Sequence, residues 1–178
     1  MVLIVSAVGG WYWGNSSGSV DGRLTEPGVV AYPTISTNKD LIGRTFPDAE
    51  LTSLLGPKVL TSTLLGTPLV INFWYSTCEP CRREMPVLNA ANTRNEGRVR
   101  FIGLNMSDSA EVALKFAKTY GVSYELFIDP SGSLISRLGI AIAPFTLFVD
   151  RDGVIVSQVA GELTAETLQA HIDEVVDK

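Results

Sequence analysis

The sequence predicts an α/β sandwich with a mixed central sheet, and three features lead to that prediction. A continuous apolar run, PLVINFW at 68–74, is typical of a strand that is buried on both faces of a sheet. Strand and helix patterns alternate along the chain after it, as expected for helices layered on a sheet. Near the C-terminus, strand patterns at 146–150 and 154–160 flank the turn RDG, which indicates a hairpin of antiparallel strands.

A short hairpin is predicted before the buried strand. Residues 50–55 and 58–60 have strand patterns, and Gly56 and Pro57 between them favour a turn. Residues 61–65 are predicted to form a helical turn. This hairpin precedes the alternating part of the chain.

The remaining elements follow in order after the buried strand. Predicted helices cover 79–95, 110–120 and 132–138, and predicted strands cover 99–104 and 124–128. Gly121 ends the second helix, and Thr164 begins a last one. The order is therefore strand, helix, strand, helix, strand, short helix, hairpin and closing helix.

Composition indicates a folded protein that does not bind nucleic acid. Hydrophobic residues make up 46% of the 178 positions and charged residues 19%, which excludes a disordered chain. A domain of this size buries about 70% of its unfolded surface, enough for a real interior. Fourteen Lys and Arg against 19 Asp and Glu give a net charge of -5, and no basic cluster is present to bind phosphates in series.

The N-terminal segment is apolar and uncharged. Residues 1–13, MVLIVSAVGGWYW, are shorter than the about 20 residues that a membrane-spanning helix needs, and the first basic residue is Arg23. We interpret 1–13 as part of a membrane anchor or as a signal remnant; an N-terminal strand is the alternative. Residues 14–42, rich in Gly, Ser, Thr, Asn and Pro, are predicted to be a flexible tether before a folded domain at 43–178.

The chain's two cysteines, Cys78 and Cys81, lie between the buried strand and the following helix. At that position the first N–H groups of a helix are unpaired and favour a negative charge. Such sites lower a thiol pKa from about 8.5 to roughly 3.5–7.5, so Cys78 is predicted to be an ionised nucleophile that is exposed to its partner. Cys81 follows one helical turn later on the same face, where it can resolve a mixed disulfide.

Other uses of a Cys-x-x-Cys pair fit the sequence less well. A structural zinc site needs about four nitrogen or sulfur ligands, and the chain adds only His171 to its two cysteines, so no metal site is predicted. Covalent haem attachment would need a histidine directly after the second cysteine, where Arg82 stands. A purely structural disulfide across so short a loop would contribute only about 2 kcal/mol to stability. Redox chemistry is favoured, and a structural disulfide stays open.

The segment INFWYSTCEPCRREMP at 71–86 resembles the active-site segment of the thioredoxin superfamily, in particular of its TlpA/ResA-like branch. FPDAELT at 46–52, with the hairpin it leads into, resembles that branch's N-terminal extension. Residues 107–123 resemble its inserted strand and helix, and APFTLFVD at 143–150 resembles its cis-proline segment. The resemblance covers 43–178 and implies a thioredoxin-like three-layer sandwich with a central mixed sheet, an N-terminal hairpin extension and an inserted strand–helix.

By this resemblance, Pro144 is a cis-proline that packs against the dithiol. The preceding residue, Ala143, then presents a backbone edge with which an extended substrate can pair. An ordinary proline at a strand entry is the alternative. Most relatives have Trp directly before the first cysteine, whereas this chain has Thr77. We therefore expect Trp74 or Tyr75 to supply the aromatic surface for substrate docking, or that surface to be absent.

Glu84 matches a glutamate that this branch carries near its dithiol. The strand position that holds a buried Asp in ordinary thioredoxins is Asn72 here, which cannot exchange a proton, so another group has to do so. Three residues beyond Cys81, Glu84 is predicted to be the acid/base of the redox cycle. A solvated helix carboxylate is the alternative. Glu79 and Pro80, between the cysteines, are the branch's usual pair and tune the reduction potential.

The resemblance implies a membrane-tethered, extracytoplasmic thiol-disulfide oxidoreductase. We expect a monomer that reduces protein disulfides, in particular the haem-binding cysteines of apocytochrome c during cytochrome c maturation. Its electrons would come from a membrane dithiol donor of the CcdA type. The redox-active Cys78–Cys81 disulfide takes the place of a cofactor. Two alternatives stay open: an oxidant that forms disulfides in secreted proteins, and a thioredoxin-fold binding module with a structural disulfide.

Overall fold

The computed structural model describes residues 41–178. The predictions made for 1–13, and those made for 14–42 up to residue 40, fall outside the described residues. Within the described part of the chain, no helix combines the length and the apolar character that are needed to cross a membrane.

Seven strands and four α-helices form within residues 41–178, in the predicted order. The strands are β1 (Glu50–Ser53), β2 (Lys58–Leu60), β3 (Leu69–Trp74), β4 (Arg100–Asn105), β5 (Glu125–Ile128), β6 (Phe145–Val149) and β7 (Ile155–Ala160). The helices are α1 (Glu79–Arg94), α2 (Ala110–Thr119), α3 (Ser133–Leu138) and α4 (Ala165–Val176). A 3-10 turn, Thr61–Leu64, follows β2.

The seven strands form one mixed sheet in the order β2-β1-β5-β4-β3-β6-β7. Strands β3, β4 and β5 run parallel, and the other neighbouring pairs are antiparallel. The predicted mixed sheet is confirmed. The β1–β2 hairpin extends one edge of the sheet by pairing with β5, and the β6–β7 hairpin forms the other edge.

The inserted strand and helix differ in extent from the expectation. Residues 107–123 contain α2 and no strand, and the strand that follows, β5, begins at Glu125. Helix α2 begins after Ser109, whose hydroxyl accepts a hydrogen bond from the N–H of Val112. In the sheet, β5 lies between β4 and the N-terminal hairpin.

Helices cover both faces of the sheet, which produces the three layers. On one face, α1, α2 and α4 contribute Met85, Phe116 and Ile172 to an apolar cluster that also contains both cysteines. On the other face, the short helix α3 and the segment before β1 contribute Leu134 and Phe46 to a second cluster. The dithiol therefore lies on the face that carries the three longer helices.

The central strand β3 positions the site. All six of its residues are buried, and β4 and β6 flank it. Its side chains alternate between the two faces: Val70 and Trp74 enter the cluster that contains the cysteines, whereas Ile71 and Phe73 enter the other cluster. Asn72 points to the same face as Val70 and Trp74 and reaches α1 with its amide. A polar group is thus placed under the helix that carries the dithiol.

Gly103 on β4 leaves no room for a side chain beside Trp74. A Cβ atom there would lie 2.5 Å from Leu126 Cδ2 and 3.0 Å from Trp74 Nε1, both in buried residues. We expect Gly103→Ala to lower the free energy of unfolding by about 1–3 kcal/mol, because the extra methyl group over-packs the core. Urea unfolding measures the difference from the wild type.

Gly56→Ala is the matched control for this substitution. Its Cβ would meet Ser53 Oγ at 3.4 Å, an ordinary contact, in an exposed turn. We expect little change in stability there. Equal losses at the two positions would contradict the packing argument.

Candidate active site

Cys78 is the N-cap residue of α1. Its backbone is extended, with φ -80° and ψ 107°, and its Sγ accepts a hydrogen bond from the N–H of Cys81 at 3.2 Å. Pro80 lies in the first turn, where the absence of an N–H costs no helical hydrogen bond. The two cysteines form a disulfide, with 5.2 Å between their Cα atoms. The first sulfur thus lies against the open N–H groups of a helix.

The disulfide lies just beneath the protein surface. Cys81 is fully buried and Cys78 is 3% exposed, which is less than we expected for a nucleophile. Thr77 and Glu79, on either side of Cys78, are exposed. In this oxidised form, a partner's thiol can meet only the edge of Cys78.

Polar groups at the end of β4 hold the loop that carries the dithiol. Asp108 accepts hydrogen bonds from the N–H and the hydroxyl of Ser76, at 2.6 and 2.7 Å. Asn105 donates to Asp108 at 2.7 Å, and Arg82 Nε donates to the carbonyl of Ser76 at 3.2 Å. The sequence-based predictions do not include these contacts around Asp108 and Ser76. The signal for these contacts is that β3 and β4 are adjacent parallel strands, so the loops after them meet.

Glu84 is a fully buried carboxyl on α1, three residues beyond Cys81. Its Oε1 accepts a hydrogen bond from Asn72 Nδ2 at 2.8 Å, and its Oε2 accepts one from the N–H of Leu163 at 3.0 Å. Asn72 Nδ2 also donates to Thr146 Oγ1 at 3.1 Å. The alternative of a solvated helix carboxylate is therefore wrong.

Burial raises the pKa of Glu84 to about 7. Removal from water is the largest cause, and the hydrogen bonds from Leu163 and Asn72 act in the opposite direction. The negative charge of Glu162 raises the pKa further. A carboxyl with this pKa can take up and release a proton near neutral pH, and its spacing from Cys81 puts it on the same side of α1.

The peptide bond between Ala143 and Pro144 is cis. Ala143 is 8% exposed and belongs to the same apolar cluster as the two cysteines. The carbonyl of Pro144 accepts a hydrogen bond from the N–H of Gly161 at 2.9 Å. Ile142, directly before this pair, is 50% exposed. The cis-proline segment thus lies on the face of the sheet that carries the dithiol, with an exposed apolar side chain beside it.

Trp74 does not lie where a docking residue would. Its side chain is fully buried and stacks on Phe116 of α2, with 4.8 Å between the ring centroids. Its indole N–H is also buried and has no hydrogen-bond partner among residues 41–178. The docking role predicted for Trp74 is therefore wrong, because α2 covers the ring. Tyr75, the other candidate, is half buried, and its carbonyl accepts the N–H of Cys78 at 3.1 Å.

Both arginines after the second cysteine form ion pairs. Arg82 pairs with Glu79, one turn earlier in α1, at 2.9 Å. Arg83 pairs with Glu162, in the segment after β7, with 2.6 Å between Nη2 and Oε2. No sequence signal predicts the second pair, because its partners are 79 positions apart.

Within residues 41–178, no group of three or more His, Cys, Asp or Glu side chains is arranged to hold a metal ion. His171 lies on α4, where its Nδ1 hydrogen-bonds with the Ser157 hydroxyl at 2.9 Å and its ring stacks on Phe148. These contacts pack α4 on the sheet.

A redox disulfide at the junction of a parallel strand and a helix is the arrangement that thioredoxin-fold oxidoreductases use, and the dithiol here lies at that junction. The chain belongs to the AhpC/TSA family, whose sequence profile matches residues 42–158. It is 32% identical over 136 residues to the thiol-disulfide oxidoreductase ResA of Bacillus thuringiensis (strain Al Hakam). This match covers 75% of this chain and 78% of that protein.

A further relative agrees with this assignment, and a solved structure agrees with the fold. The chain is 35% identical over 142 residues to the thiol:disulfide interchange protein DsbE of Tatumella citrea, covering 78% of this chain and 75% of that protein. A crystal structure from Chlorobium tepidum, assigned as a DsbE, matches the fold with a TM-score of 0.70 at 24% identity, over 76% of this chain and 97% of that one. The protein is a thiol-disulfide oxidoreductase of the ResA/DsbE type, a class that acts on protein disulfides.

Glu84 makes the stability of the domain depend on pH. Its pKa is about 7 in the folded protein against an ordinary value of 4.5, so between these values the folded state binds more protons than the unfolded state. We therefore expect the free energy of unfolding to fall by about 3 kcal/mol as the pH rises through this range. Glu84→Gln is expected to remove that fall. Urea unfolding at about pH 5 and about pH 8 measures it.

Glu166→Gln is the control for this prediction, because it neutralises an exposed carboxylate in the first turn of α4. It is expected to keep the wild-type difference between the two pH values. If Glu84→Gln kept that difference as well, the buried carboxyl would not be its source.

Proposed function

We propose that this protein reduces disulfide bonds in other proteins through Cys78 and Cys81, with Glu84 transferring the protons. The observation that supports the proposal most is the combination of a disulfide at the N-terminus of α1 with a buried carboxyl one turn further along the same helix. A structural disulfide needs neither the helix terminus nor the buried acid. Redox chemistry accounts for both.

The proposed reaction moves two electrons from the dithiol to the substrate. The Cys78 thiolate attacks one sulfur of the substrate disulfide, which forms a mixed disulfide and releases the other sulfur as a thiolate. Cys81, after losing its proton, attacks Cys78 Sγ and releases the second substrate sulfur. The enzyme ends as the Cys78–Cys81 disulfide. The two substrate thiols take up the proton of Cys81 and one proton from solvent.

The helix terminus favours Cys78 as the attacking residue. Its Sγ accepts the N–H of Cys81 in the oxidised form, and the same end of the helix stabilises a thiolate after reduction. Cys81 is fully buried within the first turn, so the sulfur that it can reach is that of Cys78. The burial of Cys81 therefore supports this order of the two attacks. Glu79 and Pro80, between the cysteines, tune the reduction potential through this helix terminus.

Glu84 removes the proton of Cys81 and passes it on to the substrate sulfur that leaves. With a pKa of about 7, it is close to half ionised at neutral pH and can act in both directions. Asn72 suits both forms of the carboxyl. Its Nδ2 donates to the carboxylate. A half-turn of the amide would present Oδ1, which is buried without a partner in the described part of the chain, to the protonated acid.

The segment around the cis-proline is the proposed docking edge. An extended substrate pairs with the backbone at Ala143, as peptides do when they add to an exposed edge. Ile142, directly before it, supplies an exposed apolar contact. Tyr75, whose backbone carbonyl accepts the N–H of Cys78, is the aromatic docking residue that we propose in place of Trp74.

The substrate that we propose is apocytochrome c, whose Cys-x-x-Cys-His segment needs free thiols before haem attaches. The likeness of 43–178 to the TlpA/ResA-like branch supports this assignment and the reducing direction. A membrane dithiol donor of the CcdA type would supply the electrons. We place the domain on the extracytoplasmic side as a monomer, held to the membrane by 1–13 through the tether at 14–42.

Trapping the mixed disulfide tests the order of attack. In Cys81→Ser the first step is intact and the second is blocked, so we expect a covalent adduct with an oxidised peptide that carries Cys-x-x-Cys-His. Cys78→Ser is expected to form none, because its remaining thiol is buried. Mass spectrometry of the two variants measures the adduct. An adduct with Cys78→Ser alone, or with neither variant, would contradict the proposal.

Turnover of the same peptide tests the direction. The reduced wild type is expected to reduce it at least about 100-fold faster than Cys78→Ser does. The equilibrium reduction potential provides the second measurement. A value near the about -120 mV of a strong oxidant would contradict a reducing role.

A further inference from the structure

Residues 161–163, directly after β7, form a strap across Glu84. The first N–H of the strap donates to the carbonyl of Pro144 at 2.9 Å. The last, that of Leu163, donates to Glu84 Oε2 at 3.0 Å. The strap therefore connects the cis-proline segment to the buried carboxyl.

The middle of the strap carries a two-point ion pair. Arg83 Nε donates to both carboxylate oxygens of Glu162, at 3.2 and 3.0 Å, and Nη2 donates to Oε2 at 2.6 Å. Arg83 directly precedes Glu84 in α1. Both partners reach solvent, with side chains that are 53% and 37% exposed. Substitutions at either position therefore do not open the core.

The strap has anchors that do not depend on this ion pair. The Leu163 side chain is 2% exposed and packs in the cluster that contains the cysteines. The hydrogen bond from Gly161 to Pro144 is a second anchor. Exposed ion pairs contribute little to stability, so we expect the strap to stay in place when the Arg83–Glu162 pair is broken. What changes is the net charge that Arg83 and Glu162 present to Glu84.

We propose that Arg83 and Glu162 are positioning residues that set how readily Glu84 holds a proton. The Glu162 carboxylate disfavours a second negative charge at Glu84, and Arg83 limits that effect by neutralising Glu162. The catalytic consequence of this inference rests on the proposed function, in which Glu84 is the acid/base. The effect on the titration of Glu84 does not.

The other groups that face Glu84 are neutral around neutral pH. Asn72 and Thr146 present an amide and a hydroxyl from β3 and β6. Directly before β5, Tyr124 stays protonated, because burial first and the charge of Glu84 second raise the pKa of its hydroxyl. On α1, the dithiol is a disulfide in the oxidised protein and does not titrate. Among residues 41–178, Glu162 is the acidic side chain that raises the pKa of Glu84.

Substituting each partner separately distinguishes a charge effect from a structural one. In Arg83→Gln, Glu162 is no longer neutralised, so we expect Glu84 to titrate about half a pH unit higher. In Glu162→Gln, the negative charge is gone and Arg83 is left unpaired, so we expect a shift of about the same size downward. Carbon-13 NMR of the glutamate carboxyl carbons in the oxidised full-length chain measures the titration. Glu84→Gln identifies the signal.

Arg98→Gln is the matched control. It removes the same charge from another exposed ion pair, Arg98–Asp173 at 3.2 Å, beyond the C-terminal end of α1. It is expected to leave the titration of Glu84 unchanged. Shifts in the same direction in Arg83→Gln and Glu162→Gln, or no shift in either, would overturn the inference.

The pH dependence of thiol exchange separates this inference from the proposed function. If Glu84 is the acid/base, the midpoint of the pH–rate profile moves with the NMR titration in both variants. Opposite NMR shifts with an unmoved profile would support the role of Arg83 and Glu162 and contradict the acid/base role of Glu84. An unmoved NMR titration would overturn the inference and leave the proposed function standing on its own tests.

Discussion

Burial of the Glu84 carboxyl next to the dithiol is the constraint on which the site depends. A carboxyl loses its hydration when it leaves water, so the fold has to supply hydrogen bonds in place of water. Asn72 supplies one from the central strand, and Leu163 supplies the other from the segment after the last strand. Both donors have to meet the same carboxyl on α1, although they come from distant parts of the chain. The site therefore requires the packed sheet and helices as well as the Cys-x-x-Cys sequence.

Two separate supports hold the reacting groups. Asp108 fixes the loop before Cys78, and the strap at 161–163 covers the carboxyl behind it. Between these two supports, Cys81 is fully buried and Cys78 is slightly exposed to solvent. In the function that we propose, this arrangement limits exchange with a partner to one sulfur and keeps the transfer of the Cys81 proton away from bulk water. If Glu84 acts as we propose, stability and activity are opposed at this residue, because the burial that raises its pKa also makes its ionised form costly.

The sequence predicts the elements well because strand periodicity, caps and turns act over a few neighbouring residues. The same local signals place Cys78 at a helix start. The resemblance points to Glu84 but not to its burial, which depends on Leu163, 79 positions away. Trp74 is assigned wrongly because an aromatic residue at the end of a buried strand fits a binding surface and a core equally well. Contacts between distant segments, such as Asp108 with Ser76, have no local signature.

The most direct test of the account is the pKa of each thiol in the reduced protein, with and without Glu84. The ultraviolet absorbance of the thiolates, followed against pH in the wild type and in Glu84→Gln, supplies these values. A nearby carboxylate disfavours a second negative charge, so the account predicts that the substitution lowers the pKa of Cys81 by about one pH unit and slows thiol exchange. Thiol pKa values and exchange rates that are the same in both proteins would contradict it.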